Sequence, residues 1–413
     1  MSGQWSPGDD QNGQDSFQET TTTSWWDRIK GAFAGILIGL ICIPGSSILL
    51  FWNEGRAVQT ARSLAEGAGM VSSAPGSRID AALDGRLVHV SGDITAAGVL
   101  RDAEFSAAAE NALRLIRRVE MYQWREESRS ETRSRLGGGQ ETVTTYHYSR
   151  VWSADAIDSS RFRQPDGHQN PPMRITSREF VATNARLGAH GLTEQQLRGF
   201  GSPRDWMPQP TAIARPGQQV VDGRILIASD PNVSRIGDTR ISFMIVEASR
   251  ASLIARQAGQ GFEPYQTRAG DRLFMLREGS LSAAEMFNAA ISENRILTWI
   301  LRGVGAVVMF IGFMLIMRPM VVLADVVPLF GSIIGAGTGI IAALLTFVLA
   351  PVVIAVAWFW YRPLVAIAVL AVGAAGAFGM GWLARQRRAV RPAMPAGTPP
   401  GTGGSSWTNP GGR

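Results

Sequence analysis

The residues with which this chain could do chemistry are few and scattered. His89, His147, His168 and His190 are its four histidines and Cys42 is its single cysteine. A zinc site needs three or four such ligands brought close, as in a His-Glu-x-x-His pair on one helix face, and no such spacing occurs. A single thiol forms no internal disulfide, so packing alone must hold a folded domain together. There is no Gly-x-Ser-x-Gly elbow for a nucleophile and no Walker loop for phosphates. The glycines of Gly335–Gly339 lie in an apolar run, without the strand-turn-helix setting a dinucleotide demands. His168, in Asp-Gly-His-Gln-Asn-Pro-Pro, reads as a turn residue, and no spacing of acidic residues singles out an acid–base pair. The expectation is a chain that is not an enzyme and takes no metal or cofactor.

The polar residues with unusual placing are those at the edges of apolar runs. From Gly31 to Trp52 no residue is charged, and Asn53, Glu54, Gly55 and Arg56 follow at once. Arg302 lies inside a second run, Ile296–Met317, about 9 Å from its start at ~1.5 Å per residue. A charge within a membrane snorkels or finds a partner, and Glu54 is the acidic residue nearest the matching end of the first run. The expected pair is therefore Glu54 with Arg302.

These positions require spans. A hydrocarbon core about 30 Å thick takes roughly 20 apolar residues, which Gly31–Trp52 and Ile296–Met317 supply. A polar tail precedes the first run and no small-residue cleavage site follows it, so it reads as an anchor rather than a signal peptide. The third span is placed at 332–360, after an interfacial or re-entrant connection over 318–331 that contains Asp325 and Pro328. Tyr361, Arg362 and Pro363 turn the chain into a fourth span at 364–384. Residues 1–30 read as a disordered cytoplasmic tail and 385–413 as an Arg-rich, then Pro/Gly-rich one. Arg28, Lys30, Arg318, Arg385 and Arg387 flank one side of a four-span bundle, which places both termini in the cytoplasm and residues 53–295 outside it.

The average composition conceals this segregation: the chain is 45% hydrophobic with a net charge of +6. Its basic residues are nearly all Arg interspersed with Asp and Glu, a solvated mixed-charge surface with no nucleic-acid patch. The middle region alternates as strands do in GRLVHVSGDI, TVTTYHYSRVWSA and TRISFMIVEA. Helices are expected at 103–120, at 193–198, over 53–67 as a continuation of the first span, and from 283 onward. In the last, Ser282 and Glu285 form a capping box and the helix can run on into the second span. The fold class is thus an α+β domain inserted between the first and second of four transmembrane helices. Asp-Gly-Arg openings at Asp84 and Asp222 suggest two related halves. Gly137–Gly139 mark an exposed hairpin over 131–145 that should tolerate insertions.

Gly31, Gly35 and Gly39 form one small-residue stripe, Gly331, Gly335 and Gly339 another, and Gly373, Gly376 and Gly379 a third. Such faces let helices approach closely in lipid, within one chain or between copies.

Asn53-Glu-Gly-Arg-Ala-Val58, VEMYQW, FRQPDGHQNPP, GDRLFMLREGSLSAAEMF, the TWILR ending at Arg302 and WFWYRPL occur in an order that resembles the transmembrane protein 43 (LUMA) family. The resemblance runs from the first span to the fourth. It implies four membrane helices, a large lumenal domain and a membrane-organising role. Animal members are associated with the endoplasmic reticulum and inner nuclear membrane and with emerin and lamin. The tails of this chain and its arginine bias suit a bacterial member of the inner membrane, for which lamin binding does not carry over. The expected partners are the lipid bilayer and other membrane proteins or a second copy. A membrane scaffold is the first expectation, a transporter or channel component the second, and a membrane-anchored enzyme the third.

Overall fold

The computed structural model describes residues 15–208, 218–364 and several more up to 379. Three helices in it are long and apolar enough to cross a membrane by length and composition. The first, α1, runs without a break over Trp25–Met70, with Ser24 as N-cap accepting from the Asp27 amide. After a charged first turn with Asp27, Arg28 and Lys30 it is uncharged all round from Gly31 to Trp52, so no single face there is amphipathic. Its charged second half continues the same cylinder, roughly 69 Å in all. The short α2 (Glu194–Leu197) is set by a Thr193–Gln196 capping box. The Ser282–Glu285 box starts α3 (Ala283–Ala324), and α4 spans Pro328–Tyr361.

Three expectations are corrected here. The connection between the second and third spans is shorter than 318–331: α3 carries on through Pro319 to Ala324, and only Asp325 to Val327 separate it from α4. The first helix begins before Gly31, because Ser24 caps it. Residues 15–23 are not loose tail but a strand, paired antiparallel along nine positions of Gln140–Ser153. The β-branched run Thr20–Thr23 lies in that strand, a composition that favours extended chain once a neighbour is present. Residues 364–384 and the tail beyond lie largely outside the described residues. From Trp358 onward the chain forms a separate compact unit, in which the Arg362 amide donates to the Trp358 carbonyl at 2.7 Å.

The domain between α1 and α3 in sequence is built on two sheets. The larger has eight strands, in the order 15–23, 140–153, 112–134, 239–247, 224–227, 218–221, with 204–206 and 178–181 attached. The smaller has seven, in the order 190–192, 185–187, 87–96, 250–258, 261–263, with 275–278 and 72–73 attached. The consecutive strands Thr239–Glu247 and Arg250–Ala258 thus belong to different sheets. The helix expected at 103–120 is absent: a turn leads into strands Ala107–Glu110 and Ala112–Ser134, with every second position from Leu113 to Met121 buried. The one charged member of that series, Arg117, is buried against Asp102 at 2.9 Å.

Two apolar cores fill the domain, one around Leu113, Leu187, Leu253 and Phe262 and one around Leu115, Ile225, Ile241 and Phe243. A third joins the domain to the helices, with Leu64 of α1 and Met286 and Phe287 of α3 packed on Leu87, Ile254 and Leu273. Gly67 is tightly fitted there: a Cβ would stand 2.5 Å from Leu273 and 3.0 Å from Phe287.

His190 is fully buried and stacked on Phe262, with ring centroids 4.9 Å apart. Burial pushes its imidazole below the ordinary value of 6.5; the Leu187 backbone offsets part of this and the Arg186 charge adds to it. The unfolded chain therefore binds the proton more readily than the native one. Stability is complete above pH ~6.5 and falls as pH drops through that value toward the lower native one. Thermal melts between pH 7.5 and 5 should show this loss, and His190→Phe should flatten the part of the slope that this group causes.

Candidate functional site

The long helices α1 and α3 pack antiparallel along most of their length, and small residues set how closely they meet. A Cβ on Gly39 would lie 2.6 Å from the Gly312 carbonyl oxygen, and one on Gly305 2.6 Å from Leu50. Gly35 faces Leu315 at 3.6 Å, whereas Gly31 and Gly339 meet nothing within 4 Å. Gly335 approaches Val321 at 3.6 Å, and Gly331 leaves room for Asp325, whose carboxylate oxygen would stand 1.6 Å from a Cβ. Of the third stripe, Gly373 and Gly379 meet nothing, and Gly376 lies outside the described residues. Gly305 and Gly312 were not singled out by the sequence reading, because neither belongs to a repeated spacing.

At the boundary between the apolar and polar halves of α1, the helices meet through a knot of side chains. Glu54 is fully buried, and Arg302 donates to it in a fork, Nε to Oε1 at 2.6 Å and a terminal nitrogen to Oε2 at 2.9 Å. The structure thus brings these two residues together in the geometry that matches a guanidinium to a carboxylate. The guanidinium also lies 4.7 Å over the Trp299 ring. Next to Glu54, Asn53 is buried and donates to the carbonyl of Thr298, one turn from Arg302, at 3.1 Å. Arg56 donates to Asn294 Oδ1 and Thr298 Oγ1, both at 3.0 Å, and to Asn53 Oδ1 at 3.3 Å. Asn294 returns a bond to the Ala57 carbonyl at 3.0 Å. Ala57 and Val58 are buried beside it, and Gly55 is half-buried.

Every charged or amide group of this knot from α1 falls within Asn53–Arg56. Those from α3 recur at Asn294, Thr298 and Arg302, a spacing of four that lines one helix face. That spacing was the available signal for Asn294 and Thr298, which the sequence reading did not single out. Trp52 and Trp299 stand out from the knot into the surroundings, as aromatic residues do at a membrane interface.

A second buried pair was not anticipated. At the opposite end of the rod Arg28 of α1 pairs with Asp325, both almost fully enclosed. Arg28 also donates to the Gly138 carbonyl at 2.5 Å, the Trp25 indole to the Val322 carbonyl at 3.0 Å, and the Gly137 amide to the Val326 carbonyl at 3.2 Å. The hairpin over 131–145 is present, but its tip is docked on the helix ends and does not project freely. A Cβ on Gly138 would collide with Trp25 at 2.3 Å. The two ion pairs are separated by roughly 39 Å along α1 and 35 Å along α3, a little more than a hydrocarbon core.

Two other polar clusters lie in the domain. His168 is stacked on Tyr148 at 4.0 Å, bonded through Nδ1 to the Gln164 carbonyl and 3.5 Å from the Asp15 carboxylate. Tyr148 donates to Glu126 at 2.7 Å, and burial together with that bond drives its pKa up. This cluster fastens the start of the amino-terminal strand. A cavity of about 530 Å³ on the larger sheet is lined by Glu120, Asp205, Trp206, Asp222 and Arg224. Burial raises the Glu120 carboxyl, but the hydrogen bond and charge of Arg240 with Arg118 and Arg224 more than reverse this. Neither place sets a nucleophile beside a base. Among the described residues no three His, Cys, Asp or Glu side chains converge on a metal position.

The sequence profile of the family described as Transmembrane protein 43 matches residues 121–363. The chain is 32% identical over 365 residues to Transmembrane protein 43 of Homo sapiens, covering 83% of this chain and 88% of that protein. To the Rattus norvegicus protein of the same name it is 32% identical over 358 residues, covering 82% and 87%. To the Transmembrane protein 43 homolog of Drosophila melanogaster it is 29% identical over 349 residues, covering 82% and 92%. No solved structure matches the chain at a significant level.

Proposed function

The chain belongs to the transmembrane protein 43 family, and from that premise we propose that it is a non-enzymatic membrane scaffold. It holds a folded domain at a fixed height and angle against the bilayer, where the domain engages other membrane proteins or lipid headgroups. The observation that carries this reading is the continuity of α1 and α3. Each passes without interruption from the apolar stretch into the core shared by Leu64, Met286 and Phe287. Between the two regions stands the Asn53–Arg56 knot, which fixes the helices against sliding or rotation. A rod of this kind suits orientation of partners better than an independently tethered domain does.

The arginine flanks of the sequence support a reading in which the Arg28–Asp325 end of the rod faces the cytosol and the domain end the other side. In a bacterial cell this is the inner membrane with the domain in the periplasm.

The test is isolation of the full chain from its own membranes in polymer-bounded lipid discs, with its retained proteins and lipids quantified. Ser292→Pro, which interrupts α3 between domain and apolar stretch, serves as the comparison. The proposal expects a stoichiometric partner or lipid class held by the native chain and depleted in the variant. Identical retention by both, or solute flux in vesicles without any retained partner, would contradict it.

A further inference from the structure

The knot at the domain end of the rod leaves one charge over. Glu54 and Arg302 neutralise each other, but the partners of Arg56 among the described residues are the neutral oxygens of Asn53, Asn294 and Thr298. Its Nε is buried and has no hydrogen-bond partner there. Native proteins pair nearly all such groups with protein, water or an ion, and a buried cation without a counter-charge is costlier than a neutral donor.

Arg56 also lines a cavity of about 270 Å³ between α1, α3 and residues 272–275. A single water needs only about 10–15 Å³, so the cavity has room for a polyatomic group. Arg272 lines it from the sheet side, its Nε on Gln266 at 3.3 Å and no carboxylate paired with it among the described residues. The one acidic side chain of the lining, Glu293, is already held in a fork by Arg277 at 2.6 and 2.7 Å. Leu64 and Leu297 give the cavity an apolar wall. The rest of the chain has few carboxylates to offer these two arginines: 209–217 and 365–413 contain no Asp or Glu, and 1–14 only Asp9 and Asp10.

The height of the cavity fits its chemistry. Arg56 stands four residues, about 6 Å, past Trp52 along α1, and Trp52 and Trp299 are exposed at the end of the apolar stretch. Headgroups occupy roughly 5–7 Å on each side of the hydrocarbon core. In the spanning register two arginines and an apolar wall thus face the layer where lipid phosphates lie, and arginine suits phosphate oxygens well.

We propose that this cavity binds the phosphate of an anionic glycerophospholipid from the leaflet on the domain side, with Arg56 and Arg272 on the phosphate oxygens and the first acyl carbons against Leu64 and Leu297. The bound lipid braces the knot that joins α1 to α3. This deepens the scaffold reading by naming a lipid class and rests on its spanning register.

The test uses the full chain, delipidated in a nonionic detergent and titrated in turn with dihexanoyl-phosphatidylglycerol, dihexanoyl-phosphatidylcholine and inorganic phosphate. Native mass spectrometry counts bound lipid, and the melting midpoint is followed, because a ligand of the folded chain raises it. The expected result is one phosphatidylglycerol per chain, bound at least about tenfold more tightly than phosphatidylcholine, and no shift with inorganic phosphate. Arg56→Gln should abolish binding but also loosens the knot, so Arg272→Gln is the sharper variant. Lying outside the knot, it should keep the lipid-free midpoint and weaken phosphatidylglycerol about tenfold, as loss of one charged hydrogen bond does. Arg101→Gln, which removes an exposed charge from the strand Val99–Asp102, should change nothing. Equal binding of the two lipids, or binding untouched by Arg272→Gln, would overturn the proposal. A shift with inorganic phosphate as large as with the lipid would make the ligand a soluble anion, with the same consequence. Binding that appears only in Asp9→Asn with Asp10→Asn would show that the tail's own carboxylates take the place, and also overturns it. The scaffold reading is judged separately, by the proteins retained in lipid discs, and failure of this titration leaves it standing.

Discussion

Removing one member of the Glu54–Arg302 pair is expected to destabilise the protein more than any other single exchange in the helices. Glu54 is fully buried and Arg302 nearly so, and each spends its charge on the other in a forked geometry. Glu54→Gln leaves a guanidinium facing a neutral amide in a place with little water, and Arg302→Gln leaves a carboxylate there. Breaking a buried pair from one side costs about 3–5 kcal/mol. At ~2–4 °C per kcal/mol for a protein of 150–250 residues, the melting midpoint should fall by roughly 6–20 °C. The double variant should be milder than the sum, because it leaves no uncompensated charge. The cycle is read by melting in detergent, and strictly additive losses would show that the two groups do not act as a pair.

The second large effect is expected at the other end of the rod. Arg28 holds Asp325 and the Gly138 carbonyl together, so Arg28→Gln both strands a buried carboxylate and releases the hairpin tip. The cost is again about 3 kcal/mol. A local readout is available, because Arg133 and Arg135 are tryptic sites beside that tip. When opening and closing are fast, cleavage follows the open population and rises about tenfold for each 1.4 kcal/mol lost. Arg28→Gln should therefore be nicked at the tip roughly a hundredfold faster than the native chain. Asp325→Asn should be intermediate, since Arg28 keeps its bond to Gly138. Unchanged cleavage in Arg28→Gln would mean that the tip is not held there.

How much of this was readable beforehand depended on whether the cause was local. The apolar run ending at Trp52, the Ser282–Glu285 box and the turn around Thr193 are fixed by neighbours within one helical turn, and the sequence displays them. Glu54 and Arg302 could be matched because a charge at membrane depth has so few possible partners. The segment 103–120 misled because Ala103, Ala107, Ala108 and Ala109 favour a helix when taken alone. There the neighbouring strand decided the conformation, and the every-second burial of Leu113 and Leu115 was the better signal. Residues 15–23 carry little apolar alternation, and their pairing with 140–148 is a long-range event that only the folded hairpin reveals. Arg28 and Asp325 stayed apart in the reading because Pro319 suggested an early end to α3. The helix passes through that proline and places Asp325 fewer than two turns further on.

The central claim is that α1 and α3 run through the membrane as one rod in the register described, and a single exchange tests it. A Cβ placed on Gly312 would lie 3.1 Å from the Cβ of Cys42, near the separation of a disulfide, which is about 3.5–4.5 Å. Cys42 is the only native cysteine, so Gly312→Cys creates one possible intrachain bond and no other. The measurement is oxidation of that variant in its native membrane, followed by cleavage within the domain and non-reducing electrophoresis, with Gly303→Cys as the control. The account predicts that the two fragments remain joined in Gly312→Cys and separate in Gly303→Cys. Separation in both, with Cys42 still reactive, would contradict it.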